Sequence, residues 1–383
     1  HNLGRNKKKP LDDDKFLKSH YIIYFGKELY NAEGDVEEVR VHRLFQTSYA
    51  SDLLEKRFVA ENVTKHANKD SKITLNDIYD YVSSLQQAVE SWYKIFNPID
   101  SDFDQDLKLW LDKLNRLGMD NFIPIIMVFF QKSTDNNKRL ALLKILENNF
   151  FISSLVDENM FYGMVDVEHR YFRNLWPLEQ IIKISTDKMS PDKIIQTYSE
   201  RNLYMSKEKN LREAIMARFR DNGFYKWKTI RYFLFEYNLY LQSNSKTGRE
   251  KIFWPEFTED SSDFISVEHI YPKRALHRYW KSRFNSFSSR QRAILRDSLG
   301  NLLPLSKPKN SSLSNNPFPT KVDGKQDPVI GYRYGCYAEN EVSECAEWTP
   351  QSILDRGVKL LEFMEKRWDI KLGDDQQKIH MLG

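Results

Sequence analysis

From Leu11 to Phe257 the apolar residues recur at intervals of three and four, and the breakers between them are few and short. That interval is the repeat of a helix face, whereas a half-buried strand alternates every second residue. A tract this long with helical spacing can bury its apolar stripes only by packing helix on helix. Several helix ends are legible. Thr74 stands three residues before Asp77, a capping-box start, and DIYDYVSSLQQAVESWYKIF continues with amphipathic spacing. Asp104–Leu117 predicts another helix, closed at Gly118. Lys138–Phe151, Leu175–Ser185, Leu211–Phe219 and Tyr225–Leu241 add more, and Ser190-Pro191 reads as an N-cap followed by proline at the first helical position. The most apolar run, Phe122–Phe130 (FIPIIMVFF), is far short of the roughly 20 residues that span a bilayer. It predicts a buried helix.

The texture changes near Gln242. SNSKTGREK is polar, and WPEFTEDSSD, residues 254–263, reads as loop. Two β-like pieces follow, FISVEH and NLLPLS, separated by a helical stretch from Ser288 to Leu299. Placing the boundary between Leu241 and Asp263 gives a mainly α protein. A multi-helix domain covers residues 1–250, and a small α+β domain covers 251–383. Thr349-Pro350 opens a last helix with Ile353, Leu354, Val358, Leu361 and Phe363 as its packing stripe, and the tail after Gly373 is expected to fray. Of the 383 residues 40% are apolar, enough to build these cores. Cys336 and Cys345 are the only cysteines and lack Cys-x-x-Cys spacing, which argues against a disulfide framework and for a reduced, cytoplasmic setting.

The chemistry-bearing residues cluster between Phe264 and Lys321. Hydrolysis of a phosphodiester needs a base to deprotonate water and hard oxygen donors for a divalent metal. Glu268-His269 supplies both side-chain types at a predicted strand end, three residues before Pro272. Neighbours on a regular strand face opposite sides, so both can serve one site only where the strand ends or bends. Asn301, after Gly300, and Asn310 add side-chain amides, which can ligate a cation or pin a loop. From Lys273 to Lys309 ten basic residues stand against one acid, Asp297, a net charge of +9 where the whole chain carries +4. Charge concentrated in this way points to a nucleic-acid backbone as partner. Lys273, Arg274, Arg278, Lys281, Arg283, Lys307 and Lys309 are the candidate phosphate contacts. Trp280, among them, reads as a core anchor rather than a base-stacking platform. A second Glu-His pair, Glu168-His169, has no following Gly-Asn-Leu or Asn-rich helix and reads as a helix-face or surface pair.

The run SVEHIYPK … W … LGNLLPLS … KNSSLSNNPF … K resembles the HNH-type nuclease domain of GmrSD-like type IV restriction enzymes. GYRYG … EWTPQSILDRGVKLLEFMEKRW resembles the end of that domain. LDDDKFLKSHYIIYF, with the helical region after it, resembles the segment between the N-terminal GmrS-like domain and the nuclease. The resemblance implies a ββα-metal fold and cleavage of DNA with Mg²⁺ or Mn²⁺, in defence against foreign or modified DNA. It makes His269 the general base and Glu268 and Asn310 the metal ligands. Asn301 becomes the support of the base-bearing loop and Lys321 a phosphate contact. Asn at the third position, where His often stands, weakens a zinc reading. The Asp-Gly-Gln-Gln-Arg-type motif of the GmrS-like domain is absent, so no nucleotide site is expected and such a domain would be a partner. The alternative is a DNA- or partner-binding module whose nuclease core is silent without that domain.

Overall fold

A computed structural model of the chain describes residues 13–29, 49–64, 73–118, 122–156, 176–206, 208–246, 248–254, 265–325 and 329–383. The Glu168-His169 pair and residues 255–263 of the expected loop lie outside them. The chain is mainly helical and divides into two compact units, residues 1–150 with 162–202, and residues 151–161 with 203–383. This division follows contacts, whereas the boundary drawn between Leu241 and Asp263 follows a change of sequence texture. The two mark different properties of the chain.

The first unit is built from α1 (Asp13–Phe25), α2 (Leu75–Phe96), α3 (Gln105–Leu117), α4 (Ile123–Lys132), α6 (Trp176–Ser185) and all but the last residues of α5 (Asn136–Leu155) and α7 (Pro191–Met205). A two-residue parallel pairing of β1 (Val63–Thr64) with β2 (Ile73–Thr74) leads into α2. The helix ends form where the side chains predict them. Thr74 and Asp77 make a reciprocal capping box, a device that contributes about 1 kcal/mol. Gly118 closes α3 in the left-handed region at φ 70°. The Ser190 hydroxyl accepts from Lys193 N ahead of α7. Helix α4 is the expected buried helix: every residue from Ile123 to Phe130 is buried, with Pro124 in its first turn. It packs against α1, α2 and α6, around a core that includes Trp92, Ile95, Leu111, Leu146 and Ile182. Among the described residues no helix is long and apolar enough to cross a membrane.

The second unit opens with α8 (Glu208–Phe219) and α9 (Ile230–Ser243). The two β-like pieces become β3 (Ile265–His269) and β4 (Leu302–Ser306), paired antiparallel with Glu268 opposite Leu303 and His269 opposite Leu302. Between them lie α10 (Arg278–Phe284) and α11 (Ser289–Asp297), the latter opened by a Ser288/Gln291 capping box. Directly after β4 come α12 (Lys307–Leu313) and α13 (Phe318–Asp323). A short antiparallel pair, β5 (Gly324–Lys325) and β6 (Val329–Ile330), precedes α14 (Tyr337–Ser343). The chain finishes with α15 (Pro350–Trp368) and α16 (Asp375–Leu382). The core gathers Ile270, Tyr271, Phe284, Leu303, Leu305, Phe318 and Trp348 around a fully enclosed Trp280. That indole donates to the carbonyls of Asn315 and Asn316, so it is a core anchor.

The C-terminal tail differs from expectation. Instead of fraying after Gly373 it forms α16, opened by an Asp374/Gln377 capping box. Met381 and Leu382 are fully buried, and the Leu382 side chain lies where a Cβ on Gly357 of α15 would be. Two apolar residues at the end of a short segment suffice to dock it once a glycine leaves room. That signal is too small to stand out by periodicity.

Candidate active site around the end of strand β3

His269 is the last residue of β3, and the regular pairing to β4 continues through it. Alternation therefore holds to the strand's end. Ser266 and Glu268 lie on one face, and Val267 and His269 lie on the other. Both chemistry-bearing side chains are 6% exposed, and each has its own set of partners.

On the Glu268 face, the Lys321 ammonium from α13 donates to Glu268 Oε1. The same ammonium reaches His269 O at 3.3 Å and Ile270 O at 3.1 Å. Lys321 is wholly enclosed. Burial pushes its ammonium below the usual lysine range, against the pull of Glu268. Burial and the Glu268 charge together push the nearby Tyr332 hydroxyl well above its ordinary value. From sequence, Lys321 is expected to contact phosphate. The structure instead places it inside, as a cation whose ammonium is held by Glu268 and the carbonyls of His269 and Ile270. Asn310 of α12 lies on this same face. Its Nδ2 donates to Ser266 Oγ at 2.8 Å, and Ser266 Oγ in turn donates to Leu305 O. Asn310 and Glu268 share a face but make no hydrogen bond to each other.

On the other face, His269 Nε2 lies 2.7 Å from Asp297 Oδ1, and the imidazole packs on Tyr225 with ring centroids 4.2 Å apart. The Lys273 ammonium stands over the Tyr225 ring, 4.5 Å from its centre. Burial pushes the Asp297 carboxyl up. Hydrogen bonding and charge from His269, with the charges of Arg296 and Lys273, outweigh burial and hold it below the usual carboxylate range. Neither Asp297 nor Tyr225 stands out by motif. The available signal for Asp297 is that it is the one acid in a segment of ten bases.

Asn301 joins these pieces. It is fully buried. Its Oδ1 accepts from Tyr271 N at 2.7 Å and from Trp348 Nε1 at 3.0 Å. Its Nδ2 donates to Tyr271 O at 3.0 Å and Arg296 O at 2.8 Å. All four bonding directions of the amide are thereby used. The side chain ties the segment after His269 to the end of α11, which carries Asp297. It is a clamp, with no lone pair or N–H left for substrate. Gly300 permits this clamp, since a Cβ there would meet Ile353 O at 1.9 Å and Gly357 N at 2.6 Å. Arg356 of α15 completes the hold by donating to the carbonyls of Gly300 and Leu302.

The basic residues separate by environment. Lys273, Arg274, Arg278, Lys281 and Lys307 are exposed. Among the described residues none of them forms an ion pair with an acid. Arg283 and Lys309 are committed instead, to Glu347 and Glu339.

Residues 204–363 match the family model described as GmrSD restriction endonucleases, C-terminal domain. No curated protein matches the chain, and no solved structure matches it. The matched span contains β3, β4, the Asn301 clamp and the basic segment. Over residues 204–363 the chain is thus similar to the C-terminal domain of GmrSD restriction endonucleases.

Proposed function

We propose that the chain is a metal-dependent HNH-type endonuclease that hydrolyses DNA phosphodiesters as part of a restriction system. The observation that carries this reading is His269, held at the end of β3 by Asp297 and Tyr225 and followed in sequence by exposed cations that, among the described residues, form no ion pair with an acid. The order β3, β4, α12, with the helix packed on both strands, supports a ββα arrangement. His269 would take a proton from water, and Lys273, Arg274, Arg278, Lys281 and Lys307 would follow the DNA backbone.

The donor chemistry on the Ser266 face fits a hard cation. Glu268 offers a carboxylate, and among the described residues the Asn310 carbonyl oxygen makes no hydrogen bond while its Nδ2 is engaged. Glu268 and Asn310 would hold Mg²⁺ or Mn²⁺, with the carboxylate shared with Lys321. The His269 base, on the other face, would meet the same phosphate only beyond the strand's last residue, and there a bound ion would stabilise charge on it. Lys321, Asn301 and Arg356 keep the strand end and its loop in place throughout.

A second reading has one observation in its favour: the Lys321 ammonium already neutralises Glu268. The core would then bind DNA without cutting until a partner such as a GmrS-like domain rearranges it. Plasmid cleavage in Mg²⁺ and Mn²⁺, beside DNA binding in EDTA, separates the two. Nicking or cutting that His269→Ala abolishes, with thermal stability retained, is the expected result. Salt-sensitive binding with no cleavage in either metal establishes the binding module, and full activity of His269→Ala removes the base assignment.

A further inference from the structure

We propose that Asp297 is the positioning residue of the general base: it holds the His269 imidazole with its proton on Nε2 and leaves Nδ1 to accept the proton of the attacking water. This assignment rests on the nuclease reading and adds to it the group that selects the reactive nitrogen.

An ionised carboxylate only accepts hydrogen bonds. The 2.7 Å contact between Asp297 Oδ1 and His269 Nε2 therefore places the ring proton on Nε2. Among the described residues His269 Nδ1 makes no hydrogen bond, and it keeps its lone pair. A carboxylate on one nitrogen fixes both tautomer and ring orientation for chemistry at the other. The partners around Asp297 are arranged to keep it there. Its own carbonyl accepts from Phe224 N at 2.7 Å. The preceding carbonyl, that of Arg296, is held by Asn301. Gly223, at φ 64°, brings the 223–225 turn so close to Asp297 that a Cβ would lie 2.4 Å from its carbonyl oxygen. The same turn delivers Tyr225 to the face of the imidazole. Among the described residues the side chain of Asp297 hydrogen-bonds only to His269, and Arg296 Nε lies 3.8 Å from the same Oδ1 as an ion-pair partner.

In the reaction the O–H bond of water breaks and its proton passes to Nδ1. The oxygen forms a new bond to phosphorus, and the bridging P–O bond breaks. Its electron pair leaves on the sugar oxygen, which takes a proton from solvent. Asp297 exchanges no atom and stabilises the imidazolium formed on the way.

The test compares wild type, Asp297→Asn, Asp297→Glu and His269→Ala in steady-state plasmid nicking with Mn²⁺. It also records DNA binding in EDTA, thermal stability and the ¹⁵N spectrum of the imidazoles. An amide at 297 can donate to Nε2 and favour the opposite tautomer. Asp297→Asn is expected to lower kcat by about 100-fold or more, with KM, EDTA binding and melting temperature near wild type. Asp297→Glu is expected to recover part of the loss. The His269 ¹⁵N pattern should show an Nε2–H tautomer in wild type that is lost in Asp297→Asn. Wild-type kcat in Asp297→Asn beside an inactive His269→Ala overturns the positioning role and leaves the nuclease reading standing. If wild type cuts no DNA, the nuclease reading fails, and the tautomer decides the contact by itself: Nδ1–H in the wild-type protein overturns it, and Nε2–H lost on substitution supports it.

Discussion

The Glu268–Lys321 pair shows at residue scale how burial redirects chemistry. Both partners are enclosed, so each is needed to neutralise the other. Lys321→Met leaves a buried carboxylate without its cation and is expected to cost about 3–5 kcal/mol of stability. Adding Glu268→Gln should recover a large part of that loss, and chemical denaturation of the two single variants and the double variant measures the coupling. His20 makes a different residue-scale case. Its Nε2 bonds Ser84 Oγ at 2.9 Å, and rings of Phe16, Tyr24 and Tyr81 surround it. Burial lowers its pKa to about 4. The unfolded chain binds this proton near pH 6.5 and the folded one only near 4, so stability is fully present above 6.5 and falls as pH drops through the window to 4. The shift corresponds to roughly 3 kcal/mol. Denaturation midpoints between pH 4 and 7 should therefore flatten in His20→Gln, and an unchanged slope would count against the assignment.

Element-scale packing depends on two glycines that meet neighbours of different kinds. A Cβ on Gly300 would press on the backbone of α15 at Ile353 O and Gly357 N, whereas one on Gly357 would meet the Leu382 side chain. Backbone in a packed helix cannot yield cheaply, but a leucine end can turn. Gly300→Ala is expected to destabilise by roughly 2 kcal/mol or more, and Gly357→Ala by less. The Asn301 clamp should be displaced only in the first. Thermal melts give the ranking, and equal losses would show that the approach of the loop to α15 is not the controlling contact. These glycines, with Arg356, explain why α15 was only partly legible. Ile353, Leu361 and Phe363 follow the apolar stripe and are buried, but so are Arg356 and Gly357. A buried arginine is counted as polar in any periodicity, and its role appears only when the carbonyls of Gly300 and Leu302 arrive beside it.

Across the second unit the charge of the 273–309 segment divides into cations held by acids and cations open to solvent. If the open ones follow a DNA backbone, each releases counterions on binding. Replacing Arg274, Arg278 and Lys281 with Gln should reduce the slope of log affinity against log salt by close to one unit per residue, about 3 in all. Replacing Arg283 and Lys309, already paired with Glu347 and Glu339, should change it little. Fluorescence anisotropy across a salt series distinguishes the two sets, and equal effects would place the DNA elsewhere.

Local properties of the chain were sufficient for much of this architecture. Helix starts at Thr74, Ser190, Ser288 and Thr349, the stop at Gly118, the buried run Ile123–Phe130 and the strands FISVEH and NLLPLS all follow from side-chain types within a few residues of each other. The clustering of His269, Glu268 and Asn301 at one strand end was legible too, since a residue beside a strand terminus and a Gly-Asn turn are local signals. Partner choice was not. That His269 faces Asp297 and Tyr225, that Glu268 turns inward to Lys321, and that Asn301 bonds the Tyr271 backbone and the Trp348 indole depended on chain segments 28 to 53 residues apart, as for His269–Asp297 and Lys321–Glu268. Hydrogen-bond partners are selected by which groups burial brings together and deprives of water, and no local pattern of residue types encodes that.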